Sequence, residues 1–245
     1  MTGPVRGVIH GVGLGPGDPD LMSVRANRLV RGSKHIAFFR KLGRSGRARS
    51  IVDGMLRADA VEFAMEYPVT TEIPLSDPRY NEALSGFYAE CTRHLCNLSS
   101  SGEDVVVLCE GDPFFYGSFM HLFTRLQATC EVKVVPAITG MSAAWTASGA
   151  PITWGDDILS TVMGTLDEAS LTDAMTRADA LVVMKIGRNL PKVRRALQAA
   201  GKAHRAVLVE YASMESQTVR PLSEFDGETL PYFSIIVVHG QGRRP

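Results

Sequence analysis

Two short glycine-rich stretches carry residue types that could meet a ligand with backbone rather than side chain. Gly13-Leu14-Gly15-Pro16-Gly17-Asp18 follows one β-favouring run, and Gly111-Asp112-Pro113-Phe114-Phe115-Tyr116-Gly117 follows another. Glycine lacks a Cβ, so it permits positive φ and a close ligand approach to the main chain. Neither stretch is a phosphate loop, because Gly-Lys-Ser/Thr is absent. Neither fits a dinucleotide fingerprint. Counting from Gly13 puts Asp18 where the third glycine belongs, counting from Gly11 puts Pro16 there, and the second strand ends in Phe39-Arg40 rather than an acidic residue. A small-residue turn, Pro136-Ala137-Ile138-Thr139-Gly140-Met141-Ser142, follows later. Together these turns predict a backbone-lined pocket with one carboxylate, Asp112, and little other charge. Such a pocket suits a zwitterion carrying a purine better than a triphosphate. Asp112 also has a plainer role open to it, capping the residues after it for roughly 1 kcal/mol.

Other chemistry is thinly represented. His10, His35, His94, His121, His204 and His239 are scattered, and none is nominated as a base. Cys91, Cys96, Cys109 and Cys130 have no Cys-x-x-Cys pair and no His at ligand spacing, which argues against a metal and against a disulfide framework. They read as small buried apolar side chains in a reducing compartment.

The elements that must position these turns follow from hydrophobic periodicity. Strands are expected at residues 8–12, 35–39, 61–65, 104–109 and 133–136, with helices at 20–31, 79–98 and 118–126. Short apolar strands alternating with helices imply a mostly parallel sheet covered on both faces. Residues 139–148 are helix-compatible and Gly149-Ala150-Pro151 then breaks the pattern. The expected organisation is an N-terminal α/β domain over 1–138, a linker helix over 139–150 and a C-terminal α/β domain over 151–245. In the last of these, strands at 158–163, 180–186, 206–210 and 233–238 accompany helices at 171–177 and 191–200. No helix separates the final two strands, so that sheet is expected to be mixed.

Composition excludes several classes. The 26 Lys and Arg balance the 26 Asp and Glu among 245 residues, which removes the broad positive field of a nucleic-acid binder. The first residues, Met1-Thr2-Gly3-Pro4-Val5-Arg6, lack the apolar core of a leader, and no stretch reaches the roughly 20 apolar residues of a membrane span. The chain is therefore expected in the cytoplasm. Charged ligands must be met locally, and residues 40–49, with Arg40, Lys41, Arg44, Arg47 and Arg49, are the one dense basic run.

The glycine-rich turns, Val135-Pro136-Ala137-Ile138-Thr139, Met184-Lys185 and Glu210-Tyr211-Ala212 together resemble the tetrapyrrole methylase family, with order and spacing kept over nearly the whole chain. One departure is Ala137, where the family commonly has glycine. The resemblance implies two α/β domains, a homodimer, and S-adenosylmethionine in the cleft between the domains, leaving as S-adenosylhomocysteine. By resemblance, Pro16, Gly111, Asp112, Phe115, Tyr116, Thr139, Met184, Lys185, Ile186, Ala212 and Ser234 line the cofactor site, many through backbone atoms. Asp112 is the side chain expected to orient the reacting groups. Phe38-Phe39-Arg40, Met65-Glu66-Tyr67-Pro68-Val69-Thr70, Val183-Met184-Lys185-Ile186-Gly187-Arg188 and Tyr232-Phe233-Ser234-Ile235-Ile236 resemble the branch that methylates precorrin-2 at carbon 20. That substrate is rich in carboxylates, and Arg40, Arg44, Arg47, Arg49 and Arg188 are expected to meet them, since guanidinium matches carboxylate bidentately. The same basic run also reads as a solvated loop. Another tetrapyrrole methylation, a nucleotide-dependent oxidoreductase and a non-catalytic tetrapyrrole binder remain as alternatives at this point.

Overall fold

Val105-Val106-Val107-Leu108-Cys109 is apolar at every position, the pattern of a strand covered on both faces. In the computed structural model, which describes residues 6–69 and 77–243, this run forms β4 (Val105–Cys109), buried throughout. Residues 1–5, which carry no apolar leader pattern in the sequence, and Thr70 of the motif at 65–70 lie outside the described residues. The chain divides into two compact units, Met1–Thr139 and Gly140–Pro245.

In the first unit, β1 (Ile9–Gly13), β2 (His35–Lys41), β3 (Val61–Tyr67), β4 and β5 (Val132–Val135) form one parallel sheet in the order β3-β2-β4-β1-β5. Side chains alternate across it. Val105, Val107 and Cys109 pack toward α3 (Pro78–Ser100) and α4 (Phe119–Leu126), against Leu95, Phe119, Leu122 and Leu126. Val106 and Leu108 face α1 (Val24–Gly32) and α2 (Arg47–Ile51), against Ala26, Val30, Ala48 and Val52. Helix starts are capped as the sequence suggests: Ser23 Oγ accepts from Ala26 N, and Asp77, with Pro78 behind it, accepts from Arg79 N. The strand order has a consequence for binding. From β1 the chain crosses by α1 toward β2, and from β4 it crosses by α4 toward β5, in the opposite direction. Right-handed crossovers running opposite ways place their helices on opposite faces, which opens a crevice at the carboxyl ends of β1 and β4.

The second unit holds β6 (Leu159–Met163), β7 (Ala180–Met184), β8 (Ala206–Glu210), β9 (Thr218–Pro221) and β10 (Ser234–Val238) in the order β6-β7-β10-β8-β9. Only β6 and β7 run parallel, so the sheet is mixed. Helices α6 (Glu168–Arg177) and α7 (Leu190–Ala199) bury Leu171, Met175, Val193 and Leu197 against one face. On the other face α5 (Gly140–Ala147) packs Ala144 against Val182, Val209 and Val237, so this helix is part of the second unit's core. Four elements differ most from the sequence expectations; among them α1 starts at Val24, capped by Ser23, rather than at residue 20. Strand β9 was not expected, because Thr-Val-Arg-Pro is short, mostly exposed and lies at the sheet edge, where little apolar patterning is required. Helix α6 starts three residues early because Asp167 caps it, accepting from Ser170 N. Helix α2 occupies part of the basic run that read as a loop, with Ala48 and Val52 as its apolar anchors.

Candidate active site

At the crevice between β1 and β4 the two glycine-rich turns are bonded to each other. Leu14 N donates to Cys109 O at 2.9 Å, Gly111 N donates to Gly15 O at 2.9 Å, and Gly15 and Gly111 form an antiparallel bridge. Gly13 is fixed by space. A Cβ there would lie 2.6 Å from Ala137 Cβ, 2.8 Å from Gly111 O and 2.9 Å from Pro113 Cδ, so the loops leaving β4 and β5 both close on that one position. Gly111 itself has φ +67°, a region costly for side chains with a Cβ.

Asp112 joins the third turn to the other two. Its Oδ1 accepts from Phe114 N at 2.9 Å and its Oδ2 accepts from Ala137 N at 2.9 Å, 25 residues further along. The carboxylate therefore caps its own turn and also ties β4 to the loop leaving β5. Both oxygens are engaged with backbone donors, a geometry that suits holding loops in place. Phe115 is partly buried beside it, Tyr116 is 47% exposed, and Pro16 is buried.

The second unit brings its motif residues to one edge of its own sheet. Strand β10 runs antiparallel between β7 and β8, so its first residue, Ser234, lies level with Glu210 and with the ends of both neighbours. Met184-Lys185-Ile186 leaves β7 there and Tyr211-Ala212 leaves β8, with Tyr211 N donating to Phe233 O at 2.8 Å. Ser234 is 3% exposed and its Oγ has no hydrogen-bond partner among the described residues. A buried hydroxyl left unsatisfied is uncommon and invites a ligand or a functional explanation.

Backbone strain marks the same places in both units. Among the described residues the non-glycine positions with positive φ are Tyr116 at 54°, Lys185 at 51°, Tyr211 at 53° and Ser213 at 64°. Each lies at, or within three residues of, the end of a motif singled out from the sequence. Such conformations cost of order 1–3 kcal/mol and persist where surrounding structure enforces them, commonly at functional sites.

The basic run is less free than its composition suggests. Arg40 Nε donates to Glu66 Oε1 at 2.8 Å, across the β2–β3 register. Arg49 is forked onto Glu62 at 2.5 and 3.1 Å and reaches Asp53 at 3.3 Å, contacts that raise its pKa. Arg44 and Arg47 are exposed, and Arg188 is exposed in the second unit. Thr139 is partly buried at the end of the first unit.

One carboxyl went unnoticed in the sequence. Glu110, between Cys109 and Gly111, is partly buried, and burial pushes its pKa up to about 7 against the opposing pull of the Arg47 guanidinium. The available signal was an acidic residue closing an otherwise apolar strand. Among the described residues no group of three or more His, Cys, Asp or Glu is placed to hold a metal, and no helix is long and apolar enough to cross a membrane.

A parallel sheet with paired glycine turns at its switch point, followed by a mixed sheet with strained strand ends, is the architecture of a known family. The chain belongs to the tetrapyrrole (corrin/porphyrin) methylases, whose profile matches residues 8–226. It is 44% identical over 245 residues, the full length of both chains, to a precorrin-2 C(20)-methyltransferase from Sinorhizobium sp.. It is 41% identical over 239 residues to a cobalamin biosynthesis protein CobIJ from Mycobacterium bovis, covering 98% of this chain and 47% of that one. It is 27% identical to a cobalt-precorrin-2 C(20)-methyltransferase from Salmonella typhimurium, over 97% of this chain and 98% of the relative. Solved structures of the same fold include a cobalt precorrin-4 methyltransferase, with a TM-score of 0.70 and 20% identity over 95% of this chain and 94% of that one. A uroporphyrin-III C-methyltransferase from Thermus thermophilus, complexed with S-adenosylhomocysteine, has a TM-score of 0.66 and 22% identity over 95% and 92%.

Proposed function

We propose that the chain transfers a methyl group from S-adenosylmethionine to carbon 20 of precorrin-2, giving precorrin-3A in cobalamin biosynthesis. The observation that carries this reading is the Asp112 tie: one carboxylate holds together the loops leaving β4 and β5, beside a Gly15–Gly111 bridge at the switch point of a parallel sheet. Full-length identity of 44% to a relative of that stated activity supports the choice of substrate.

The residues present fit the cofactor. Gly111, with no atom near the position a Cβ would take, leaves the main chain open to a close ligand, and the unmet Ser234 hydroxyl offers a polar contact. Pro16, Gly111, Asp112, Phe115, Tyr116 and Thr139 of the first unit, with Met184, Lys185, Ile186, Ala212 and Ser234 of the second, are the residues proposed to hold it. When bound, S-adenosylmethionine supplies an electrophilic methyl group on a sulfonium. The protein's part is orientation and exclusion of water, and a site made of fixed backbone dipoles does both with little reorganisation. Asp112 acts as the orienting group by fixing its two loops. Arg44, Arg47 and Arg188 are exposed cations suited to substrate carboxylates, and Arg40 and Arg49 can join by exchanging their glutamate partners. The protein is proposed to act in the cytoplasm as a homodimer, without nucleic acid or membrane.

The test is anaerobic incubation of the purified chain with S-adenosylmethionine and either precorrin-2 or its cobalt complex, read by mass spectrometry. Gain of one methyl on the metal-free tetrapyrrole supports the proposal. Gain only on the cobalt complex replaces the substrate, and gain on neither, with intact cofactor binding by calorimetry, overturns it.

A further inference from the structure

We propose that Cys96 and Cys130 form a reversible disulfide under oxidising conditions, a covalent staple inside the first unit. The two Sγ atoms lie 2.6 Å apart, one on α3 and one just ahead of β5. Unbonded heavy atoms of this kind rest at roughly 3.5 Å or more. The separation lies closer to the bonded distance of about 2.05 Å than to a contact. The backbone delivers both residues to this meeting. Cys96 is set within a long helix whose Cys91, Leu95 and Ser99 are buried, while Cys130 N and Thr129 N both donate to Leu126 O, at 2.9 and 3.0 Å. Arg6 Nη1 pins the same turn through Thr129 O at 3.0 Å. Both cysteines are partly exposed, unlike Cys91 and Cys109, which are buried.

With hydrogen peroxide as oxidant the step balances. One thiol loses its proton and its sulfur attacks a peroxide oxygen; the O–O bond breaks, leaving a sulfenic acid and one water. The second sulfur, also deprotonated, attacks the first, the S–O bond breaks, and the S–S bond and a second water form. Burial and the neighbouring thiol hold the Cys96 pKa up at about 11, so oxidation should accelerate with pH. The pair spans 34 positions and sits at the amino end of β5, whose other end carries the Ala137 turn. The staple therefore stabilises the first unit without altering cofactor affinity.

The test treats the reduced full-length protein with peroxide at about pH 7 and about pH 8.5, alkylates it, and digests it with trypsin and a glutamate-specific protease. Cleavage after Glu90, Arg93, Glu103, Glu110, Arg125 and Glu131 puts the four cysteines in separate peptides. The expected result is a Cys96–Cys130 crosslink that forms faster at the higher pH, with Cys91 and Cys109 alkylated. Dithiothreitol should reverse it. The melting temperature should rise by about 5–10 °C on oxidation, and not at all in Cys96→Ser or Cys130→Ser. Four alkylated cysteines after peroxide, a crosslink to Cys91, or sulfinic acid on Cys96 beside a free Cys130 would each overturn the proposal. The wild-type peptide map decides even where a serine variant does not fold.

Discussion

Glu110→Gln should make stability depend on pH in a way that isolates one buried carboxyl. The ordinary pKa of 4.5 rises to about 7 in the folded chain because burial disfavours the charged form. Between these values the folded chain keeps a proton that the unfolded chain releases, so stability falls as pH rises. The contribution is whole below 4.5 and is lost as pH passes through about 7. At ~1.36 kcal/mol per pH unit, the interval from 4.5 to about 7 corresponds to at most about 3 kcal/mol. Glutamine is neutral and nearly the same shape. The variant should therefore match wild type near pH 4.5 to 5 and exceed it by up to about 3 kcal/mol at pH 8. Urea melts at several pH values measure this, followed by far-ultraviolet circular dichroism, since Trp145 and Trp154 both lie in the second unit and report poorly on β4. In an Arg47→Gln background, which lacks the opposing pull, the gap between Glu110→Gln and its parent at pH 8 should widen. A stability difference between variant and wild type that stays flat from pH 5 to pH 8 would refute the argument, because the carboxyl would then be as well solvated folded as unfolded.

Gly13→Ala should lose about 1–3 kcal/mol of stability and most cofactor affinity, because its Cβ meets three atoms closer than 3.0 Å; Gly32→Ala, with nothing near its Cβ, is the control in a thermal melt. Asp112→Asn keeps one acceptor for Phe114 N or Ala137 N and Asp112→Ala keeps none, so turnover should fall in the order wild type, Asn, Ala. If residual activity instead tracks the folded fraction of each variant, the carboxylate is only a cap. S-adenosylhomocysteine should raise the melting temperature while NAD leaves it unchanged, by preferential binding to the native state; a shift with NAD alone would revive the oxidoreductase alternative. Replacing Arg44 and Arg47 by Gln should raise the apparent Michaelis constant for the tetrapyrrole and weaken its salt dependence, with cofactor affinity preserved, each exposed contact being worth about 0.2–1 kcal/mol. Unchanged kinetics would make the run a solvated surface.

Much of this chain is legible in its sequence for a local reason. Strand and helix periods are properties of consecutive residues, so Val105–Cys109 declares a doubly covered strand, and glycine at 15 and 111 declares where the main chain turns sharply. The absence of a helix before the last strand sufficed to expect a mixed second sheet. Contacts between distant segments follow different rules. That Asp112 reaches Ala137 N, and that Gly15 bridges Gly111, depends on β1 lying between β4 and β5, an order that no local pattern encodes. Ser234 was placed at the cofactor site by resemblance alone; that it lies level with Glu210 in the middle of a sheet, its hydroxyl without a described partner, follows only from the antiparallel pairing. The sequence reads Cys96 and Cys130 as buried apolar side chains, whereas both are partly exposed and in contact, and an acidic residue closing an apolar strand does not by itself declare the Glu110 shift. The reason is the same: desolvation and proximity arise only after the elements pack, and both are set by neighbours remote in the chain. The sequence by itself determined most of the elements, the sharp turns and the family, because propensity and periodicity act over a few residues, while the edge strand β9 and the short helix α2 carried too little local pattern. The tertiary structure alone decided which turns touch, which carboxyl is desolvated and which arginines are already paired, because those outcomes depend on strand order and register.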